Sequence, residues 1–376
     1  MTEFRTEAAP ILFTADAPSV RWLGLRFENT PPGSNFTYCT IEYASSSGLT
    51  LINAVAPVVD HCTFQNNSST GAGGAINATG TSGSLDLQDC TFRNNSSSGA
   101  GGAINAASMG GSLSLQSCSF FGNASAGGRG GAVSIQGGDA SIADSVFRGN
   151  SVRQVCGECA ARGFGGGLFV DGSANVSVRN SQFIGNDAYA SGNGNYCGSG
   201  EAYGSGVYVN SGAIILKSSL LSCNTARADG CSRAIGGLAL YVAGGAVTVE
   251  NSTIARNASA AGVHIAGGKS DIKNSIIYFN NSNGAQVGGT ANITYSDVQG
   301  GVAGEGNINF NPAFEGTGCE PDDFKLLPGS PAIDAGNPDS QYNDTCFPPS
   351  TGNDAQHQAL NDMGAFGGPG ACGWGQ

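Results

Sequence analysis

The heptapeptide HCTFQNN at residues 61–67 is the clearest indication of the fold, because close copies of it recur along the chain. It recurs as DCTFRNN at residues 89–95 and as SCSFFGN at residues 117–123, and weaker copies follow. The repeat spacing is in the range that indicates a solenoid or another repeat architecture. The aligned apolar position is occupied in turn by Ile41, Phe64, Phe92, Phe120, Phe147, Phe183, Leu221, Ile254, Ile277 and Val298.

Each repeat also contains two stretches in which apolar and polar residues alternate. One follows a glycine pair, as at residues 74–78, and the other precedes the heptapeptide, as at residues 85–87. Alternation with period two and β-branched residues predicts strands with one buried face. Three such strands per repeat, with Gly and Asn at the corners, predict one coil of a parallel β-helix with a core continuous from coil to coil.

Two polar positions of the repeat have structural interpretations. Cys39, Cys62, Cys90 and Cys118 share one position that Ser fills in later repeats, which predicts a buried and mostly unpaired cysteine stack. The Asn near the end of each copy tolerates left-handed backbone and can hydrogen-bond along a stack. An asparagine corner ladder is therefore predicted for Asn67, Asn95, Asn123, Asn150, Asn186, Asn224, Asn257 and Asn280.

Composition excludes several classes of protein. The chain has 376 residues, of which 61 are Gly and only 12% are charged, which disfavours a helical protein. A net charge of −12 argues against nucleic-acid binding, and no apolar run is long enough to insert into a membrane as a helix. Twelve cysteines indicate an extracellular or cell-surface location, and the N-terminus lacks a signal-peptide pattern, so we expect a mature or truncated chain.

Two resemblances agree with this fold. The GGAI motifs at residues 73–76 and 101–104, paired with FxxN at residues 64–67 and 92–95, resemble the repeats of chlamydial polymorphic outer-membrane proteins. The segments SPAIDAG at residues 330–336 and DMGAFGG at residues 362–368 resemble the C-terminal part of anchored bacterial surface β-helix proteins. These resemblances imply a secreted, right-handed parallel β-helix and a surface location, without naming a ligand.

We therefore predict an all-β, right-handed parallel β-helix of about ten to twelve coils over residues 1–301. Residues 302–376 are expected to form an irregular C-terminal cap. Long cysteine-rich insertions interrupt the coils at about residues 151–165, 187–204 and 225–236. They follow the Asn corner of three successive coils, where loops on a rigid scaffold commonly carry binding residues.

A candidate ligand site lies on the same coils. Aligning the strands after the glycine pairs predicts that four consecutive outward residues, Phe169, Tyr208, Tyr241 and His264, stack into an exposed aromatic stripe. The insertions add Tyr189, Tyr196, Tyr203 and Glu201 nearby. Aromatic faces flanked by polar groups suit sugar rings, but the same residues could serve as a stabilising ladder or lie under the insertions.

The remaining cysteines and a run of acidic residues suggest bonds that fasten the structure. Disulfides are expected among Cys156, Cys159, Cys197, Cys223 and Cys231, whereas Cys319, Cys346 and Cys372 are expected to pin the C-terminal segment. Calcium is a weaker hypothesis for the oxygen-rich stretch that contains Asp334, Asp339 and Asp344.

The leading functional hypothesis is a secreted or cell-surface adhesin or recognition protein that binds a polysaccharide or cell-surface glycan. The first alternative is a polysaccharide lyase or hydrolase; we assign no catalytic residues, because no carboxylate trio aligns on consecutive coils. The second alternative is a structural rod or filament subunit, which self-associates through exposed ends. His61, His264 and His357 form no triad or metal motif in the sequence.

Overall fold

The computed structural model describes residues 10–17, 19–31, 35–156, 160–192, 199–229, 238–258, 261–280, 285–344 and 360–369, with only the backbone of residues 232–236. The regular structure of these residues is almost entirely β-strand, as two short 3-10 helices, Pro321–Phe324 and Ser340–Tyr342, are the exceptions. None of the described helices is long and apolar enough to cross a membrane.

The first sheet collects the strands that follow the glycine pairs, and it runs the length of the molecule. Its strands pair in parallel and in register, so that Ile76 lies opposite Ile104 and Val133 opposite Leu168. The ten strands are Leu25–Glu28, Leu49–Ile52, Ile76–Thr79, Ile104–Ala107, Val133–Gln136, Leu168–Asp171, Val207–Val209, Leu240–Val242, Val263–Ile265 and Val287–Gly289.

The second sheet collects the alternating strands that precede the repeated heptapeptide. Its ten strands are Asn35–Thr37, Val58–Asp60, Leu85–Gln88, Leu113–Gln116, Asp139–Ala143, Asn175–Arg179, Ala213–Lys217, Ala246–Glu250, Lys269–Lys273 and Asn292–Thr294. A single residue with positive φ then turns the chain into the third sheet; examples are His61 at 51° and Asp89 at 49°.

The third sheet carries the repeated Phe position, and the three sheets together enclose the core. Its eleven strands are Ile11–Phe13, Cys39–Glu42, Thr63–Gln65, Thr91–Arg93, Ser119–Phe121, Val146–Arg148, Gln182–Ile184, Leu220–Ser222, Thr253–Ala255, Ile276–Tyr278 and Asp297–Val298. The predicted right-handed parallel β-helix is therefore confirmed, and the sheet sizes agree with the lower end of the predicted coil number.

The core contains the stacks that the repeat predicted. The rings of Phe64, Phe92, Phe120, Phe147 and Phe183 are fully buried and stack with centroids 4.6 to 5.1 Å apart. Apolar burial of this kind provides most of the stabilisation of a β-helix, because each coil covers the open core of its neighbour.

The two polar stacks are also confirmed. Each ladder Asn from Asn67 to Asn257 donates a side-chain hydrogen bond to the Asn of the next coil, for example from Asn95 Nδ2 to Asn123 Oδ1 at 3.0 Å. The same Oδ1 accepts the backbone N–H of Asn95, so the buried amides satisfy one another. The four cysteines that share one repeat position, Cys39, Cys62, Cys90 and Cys118, are all buried, and Cys62, Cys90 and Cys118 carry free thiols.

The three insertions, which we had compared with binding loops, form a second stack of strands that we call the fin. One fin sheet contains Ser151–Val155, Asp187–Ser191 and Thr225–Asp229, and it continues from the shorter strands Ser68–Ser69, Ser96–Ser97 and Ala124–Ser125. The other contains Ala161–Phe164, Ser199–Tyr203 and Ser232–Gly236. The space between the two fin sheets is filled by alternating alanines, whose small side chains let the sheets approach closely. These alanines are Ala161, Ala188, Ala190, Ala202, Ala226 and Ala228.

The C-terminal segment lies against both the end of the core and the side of the β-helix. Val302 packs against the end of the core, and Ile308 pairs with Asp297 beyond the last strand. The chain then turns back along the outer face of the third sheet as a segment that we call the strap, residues 310–344 and 360–369. It buries Phe314, Phe324, Ala332 and Met363 against Ile184, Leu220, Ala255, Ile276 and Tyr278.

Candidate functional site

The candidate site begins with the predicted aromatic stripe on the outer face of the first sheet. Strand register places Phe169 opposite Tyr208, Tyr208 opposite Tyr241, and Tyr241 opposite His264. The ring centroids lie 5.5, 5.3 and 5.4 Å apart in that order, with nearly parallel planes. The predicted stacking of these four side chains is confirmed.

The prediction that the whole stripe is exposed was wrong. Phe169 is only 2% exposed and Tyr208 only 5%, because the fin covers this end of the stripe. Phe164, the last residue of a fin strand, stacks directly on Tyr208 with its centroid 4.6 Å away. Tyr241 and His264 remain half-exposed, so the accessible part of the stripe is its C-terminal end.

The fin adds a second column of rings beside the first. Tyr203 lies 5.9 Å from Phe164 and 4.6 Å from Tyr241, measured between ring centroids. It lies at the end of the strand Ser199–Tyr203, whose Gly200 and Ala202 face the interior of the fin, so Tyr203 points outward. Tyr203, Tyr241 and His264 together form a half-exposed aromatic surface between the fin and the first sheet.

Glu201 provides the charge beside this surface. It extends from the same fin face as Tyr203, and its Oε2 lies 3.3 Å from Arg162 Nε. Burial raises the pKa of Tyr241, and the Glu201 carboxylate raises it further. The pKa of Tyr203 rises for the same reasons, with Tyr241 contributing as well. Both hydroxyls are therefore protonated at neutral pH and can donate hydrogen bonds beside a carboxylate acceptor.

A polar cleft continues from the covered end of the stripe. Arg129, Gln136, Gln154, Arg162 and Phe164 line it between the first sheet and the base of the fin. The Arg129 guanidinium lies 5.6 Å from the centroid of Phe169. This cleft brings cationic and amide donors to the end of the aromatic surface, which the sequence did not reveal.

Among the carboxylates of the first sheet, Asp171 lies nearest to this cleft. It follows Phe169 by two residues on the same strand. Burial raises its pKa, but hydrogen bonds donated by Asn210, Gly172 and Ser211, together with the charge of Arg129, lower it more. Asp171 is therefore ionised, and its Oδ1 is occupied by those donors at 2.8 Å.

Of the two remaining residues predicted for the site, only Tyr189 is described, and it is not part of this surface. Tyr189 extends from the opposite fin sheet, where its ring lies under Arg153 and its hydroxyl donates to Asp229 at 2.9 Å. Tyr196 lies outside the described residues. The structure therefore brings together Phe169, Tyr208, Tyr241, His264, Tyr203 and Glu201, and separates Tyr189 from them.

The disulfide whose two cysteines are both described joins the cysteine group of the insertions to the C-terminal segment. Cys223 was grouped with the cysteines of the insertions, but it is bonded to Cys319 of the strap, with the Cα atoms 5.9 Å apart. Cys223 lies at a corner of positive φ next to the third sheet, where the strap passes, which explains the pairing. Cys319 thus pins the C-terminal segment as predicted, and Cys156 is also disulfide-bonded. Cys159, Cys197, Cys231, Cys346 and Cys372 lie outside the described residues.

The three aspartates proposed for calcium have structural contacts within the strap. Asp339 accepts the backbone N–H of Gln341 at 3.2 Å, and Asp344 accepts the N–H groups of Asp362 and Gly368. Within the described part of the chain, Asp334, Asp339 and Asp344 do not bring three ligand atoms together. Calcium binding by this segment stays a prediction.

Sequence reasoning missed one cluster of ligand-bearing side chains, Asp60, His61 and Asp89. One nitrogen or oxygen atom from each lies within 4.8 Å of the others, so among the described residues these three side chains are close enough together to hold a metal ion. His61 and Asp89 occupy the same position in successive repeats, so an alignment of the corners could have found the pair.

A family model described as a right handed beta helix region matches residues 26–219, just over half of the chain. The match includes the Phe stack and the asparagine ladder from Asn67 to Asn186, and it ends just after the second-sheet strand Ala213–Lys217. No curated protein and no solved structure matches the chain.

Proposed function

This chain belongs to the right-handed β-helix family, and we propose that it is a secreted or cell-surface recognition protein that binds carbohydrate between the fin and the first sheet. The observation that carries the proposal is the half-exposed surface of Tyr203, Tyr241 and His264 beside Glu201. Ring faces of this kind contact the C–H groups of a sugar, while the carboxylate and hydroxyls satisfy its hydroxyl groups.

The surroundings of this surface support binding by a rigid site. Tyr241 and His264 lie on adjacent strands of a fully paired sheet, and Tyr203 belongs to a fin strand that pairs on both sides. The rings are therefore held in place before a ligand arrives, which reduces the entropy lost on binding. The Cys223–Cys319 bond supports an oxidising compartment, since such bonds persist outside the cytosol.

A glycan array with wild-type protein and a Tyr203→Ala/Tyr241→Ala variant tests the proposal. We expect wild-type binding to at least one glycan class and at least about a fivefold loss in the variant, because each of the two aromatic contacts contributes about 0.5–1.5 kcal/mol. Phe121→Ala is the matched control, since Phe121 is a half-buried outward ring on the third sheet. Equal loss in the control, or no glycan bound by the wild type, would contradict the proposal.

The polysaccharide lyase or hydrolase remains the second candidate, because Glu201 and Asp171 both lie close enough to Tyr208 for their charges to raise its pKa, after burial and the neighbouring tyrosines. Product analysis on every bound glycan separates the two functions. Cleavage that is lost in Glu201→Gln while binding persists would establish the enzyme. Binding without products supports the recognition protein.

The rod or filament hypothesis is favoured least. Val302 and the Asp297–Ile308 pairing cover the C-terminal end of the core, so that end does not offer a free coil for stacking. Self-association through other surfaces stays a prediction, which sedimentation of the chain over a concentration series would test.

A further inference from the structure

We propose that Asp60, His61 and Asp89 form a binding site for a divalent transition-metal ion of the zinc type. The site lies at the corner between the second and third sheets, on the first coils of the β-helix and away from the fin. It goes beyond the glycan site, and neither function depends on the other.

The backbone places the three side chains in fixed positions. His61 and Asp89 turn adjacent coils with φ of 51° and 49°, and their N–H groups donate to Gln88 and Gln116 at 3.0 Å. Asp60 ends the strand just before His61. A preformed metal site mainly requires that its ligands lie on rigid elements. These three residues meet that requirement, because they belong to coils whose strands are hydrogen-bonded to their neighbours.

The orientation of the imidazole suits metal binding. His61 Nδ1 lies 2.7 Å from Asp60 Oδ1, and this hydrogen bond places the proton on Nδ1 and leaves Nε2 as the metal-binding atom. Tyr38, at the equivalent corner of the preceding coil, packs against the imidazole with centroids 4.8 Å apart. Both contacts restrict rotation of the ring.

The second ligand lies on the free side of the ring. Asp89 Oδ2 is 3.8 Å from His61 Nε2, and Gln88 Nε2 holds the same oxygen at 3.1 Å. Two ligands with bonds of about 2.1 Å to a tetrahedral ion are about 3.4 Å apart, so a small side-chain rotation completes the pair. The arrangement resembles a carboxylate–histidine–metal triad, in which Asp60 orients the histidine.

The surroundings leave room for the remaining ligands. A cavity beside His61 and Asp89 is lined by Thr40, Thr63 and Thr91, and it has room for the waters that would complete the coordination. The site is partly exposed, with 40% of the His61 side chain and 36% of the Asp89 side chain accessible, so an ion can enter. An imidazole with carboxylates favours zinc, copper or nickel over calcium, which prefers an all-oxygen set.

Titration of the untagged full chain with Zn²⁺ by isothermal calorimetry tests the site. We expect one saturable site with a micromolar dissociation constant, weakened at least tenfold in His61→Asn and in Asp89→Asn. Asn is chosen because Asn180, Asn251 and Asn274 occupy the same corner in later coils at similar φ, so the variants should fold. Asp60→Ala should weaken binding by about tenfold through loss of the orienting hydrogen bond.

His264→Ala is the matched control, because it removes a half-exposed imidazole outside the cluster. Co²⁺ visible spectroscopy provides a second readout: a bound ion should show enhanced absorption that His61→Asn abolishes. Equal weakening by His264→Ala, or wild-type affinity no higher than that of His61→Asn, would overturn the proposal. Ca²⁺ at the same concentration should not compete.

Discussion

The coils of residues 58–150 and those of residues 151–258 use the same three sheets but fill them differently. The first set has repeats of 27 or 28 residues, a Phe stack and mostly cysteine at the small buried position. The second set has repeats of 33 to 38 residues, replaces Phe by Leu and Ile after Phe183, uses Ser at the small position and carries the fin. The residues assigned to the glycan site belong to the longer coils or to the covering fin, except His264, which lies on the next coil.

The asparagine ladder explains how one scaffold accommodates both sets. Asn150 Nδ2 donates to Asn186 Oδ1, and Asn186 Nδ2 donates to Asn224 Oδ1, each at 3.0 Å, across the fin insertions. The corner is therefore closed by the side-chain amide before the chain leaves for the fin. An insertion at this point changes the surface without shifting the register of the core, which lets the regular part supply stability and the longer coils supply binding.

The largest effect is expected in the Phe stack of the regular coils. Phe120→Ala removes a fully buried ring that stacks at 4.7 and 4.6 Å between its neighbours. The loss of apolar burial and the remaining cavity should lower the free energy of unfolding by about 4 kcal/mol. Urea unfolding followed by circular dichroism measures the change.

Two variants sharpen this result. Phe120→Leu introduces the residue that the longer coils use at position 221, and it should cost about 1–2 kcal/mol. Phe121→Ala removes the adjacent outward ring and should cost less than about 1 kcal/mol. If Phe120→Ala costs no more than Phe121→Ala, the stack is not the main source of stability in the regular coils.

The second effect separates the two uses of cysteine. Cys223→Ser breaks a bond that closes 96 residues of chain and pins the strap to a longer coil. We expect the free energy of unfolding to fall by about 3 kcal/mol. The cross-link restricts the unfolded chain, and in the folded protein it holds the strap where Phe324 is buried. Urea unfolding gives the size, and amide hydrogen exchange shows whether the third sheet loses its cover.

Cys118→Ser is the matched control in the regular coils. Cys118 is free and buried, and Ser145 already occupies the same position in the next coil, where its hydroxyl donates to Ala143. The substitution should therefore change the free energy of unfolding by no more than about 1 kcal/mol. An equal loss in both variants would show that the cross-link adds nothing beyond the removal of a sulfur atom.

The smallest effect concerns pH and the end of the molecule. Burial raises the pKa of Asp297 to about 7, although Phe310 donates its N–H to the carboxylate. Burial, and the nearby charge of Asp362, raise the pKa of Asp344 in the strap to about 7 as well. Both pKa values lie above the unfolded value of 3.8, so the folded state binds more protons than the unfolded state between about pH 4 and pH 7. The stability of the folded state therefore falls as the pH rises through this range.

We expect the free energy of unfolding to fall by about 2 kcal/mol between pH 5 and pH 8. Each unit of pKa difference corresponds to about 1.4 kcal/mol, and local opening that admits water to the carboxyl groups reduces the total effect. The double variant Asp297→Asn/Asp344→Asn should flatten this dependence, because an amide stays neutral. Asp86→Asn, at an exposed position of the regular coils, should leave it unchanged. A dependence of the same slope in the double variant would assign it to other groups.

Periodicity made most of the fold predictable, including the identity of the stacked residues. In a solenoid, the neighbours of Phe92 are the residues at the same repeat position one coil away, so the alignment of repeats is also a list of contacts. The register of Tyr208 with Tyr241 followed from the same rule. The fin was recognised as three insertions at one corner, but its alternating alanines were not interpreted as strands.

The parallel β-helix, its core stacks, the asparagine ladder and the order of rings along the stripe can all be predicted from the sequence, because they depend on contacts between equivalent repeat positions. Three other contacts are visible only in the folded molecule: Phe164 covers Tyr208, Cys223 bonds Cys319, and the strap returns along the third sheet. Those contacts join segments with no periodic relation to each other. Their partners depend on how far each non-repeating segment reaches and which apolar surface it can bury, which no repeat position specifies.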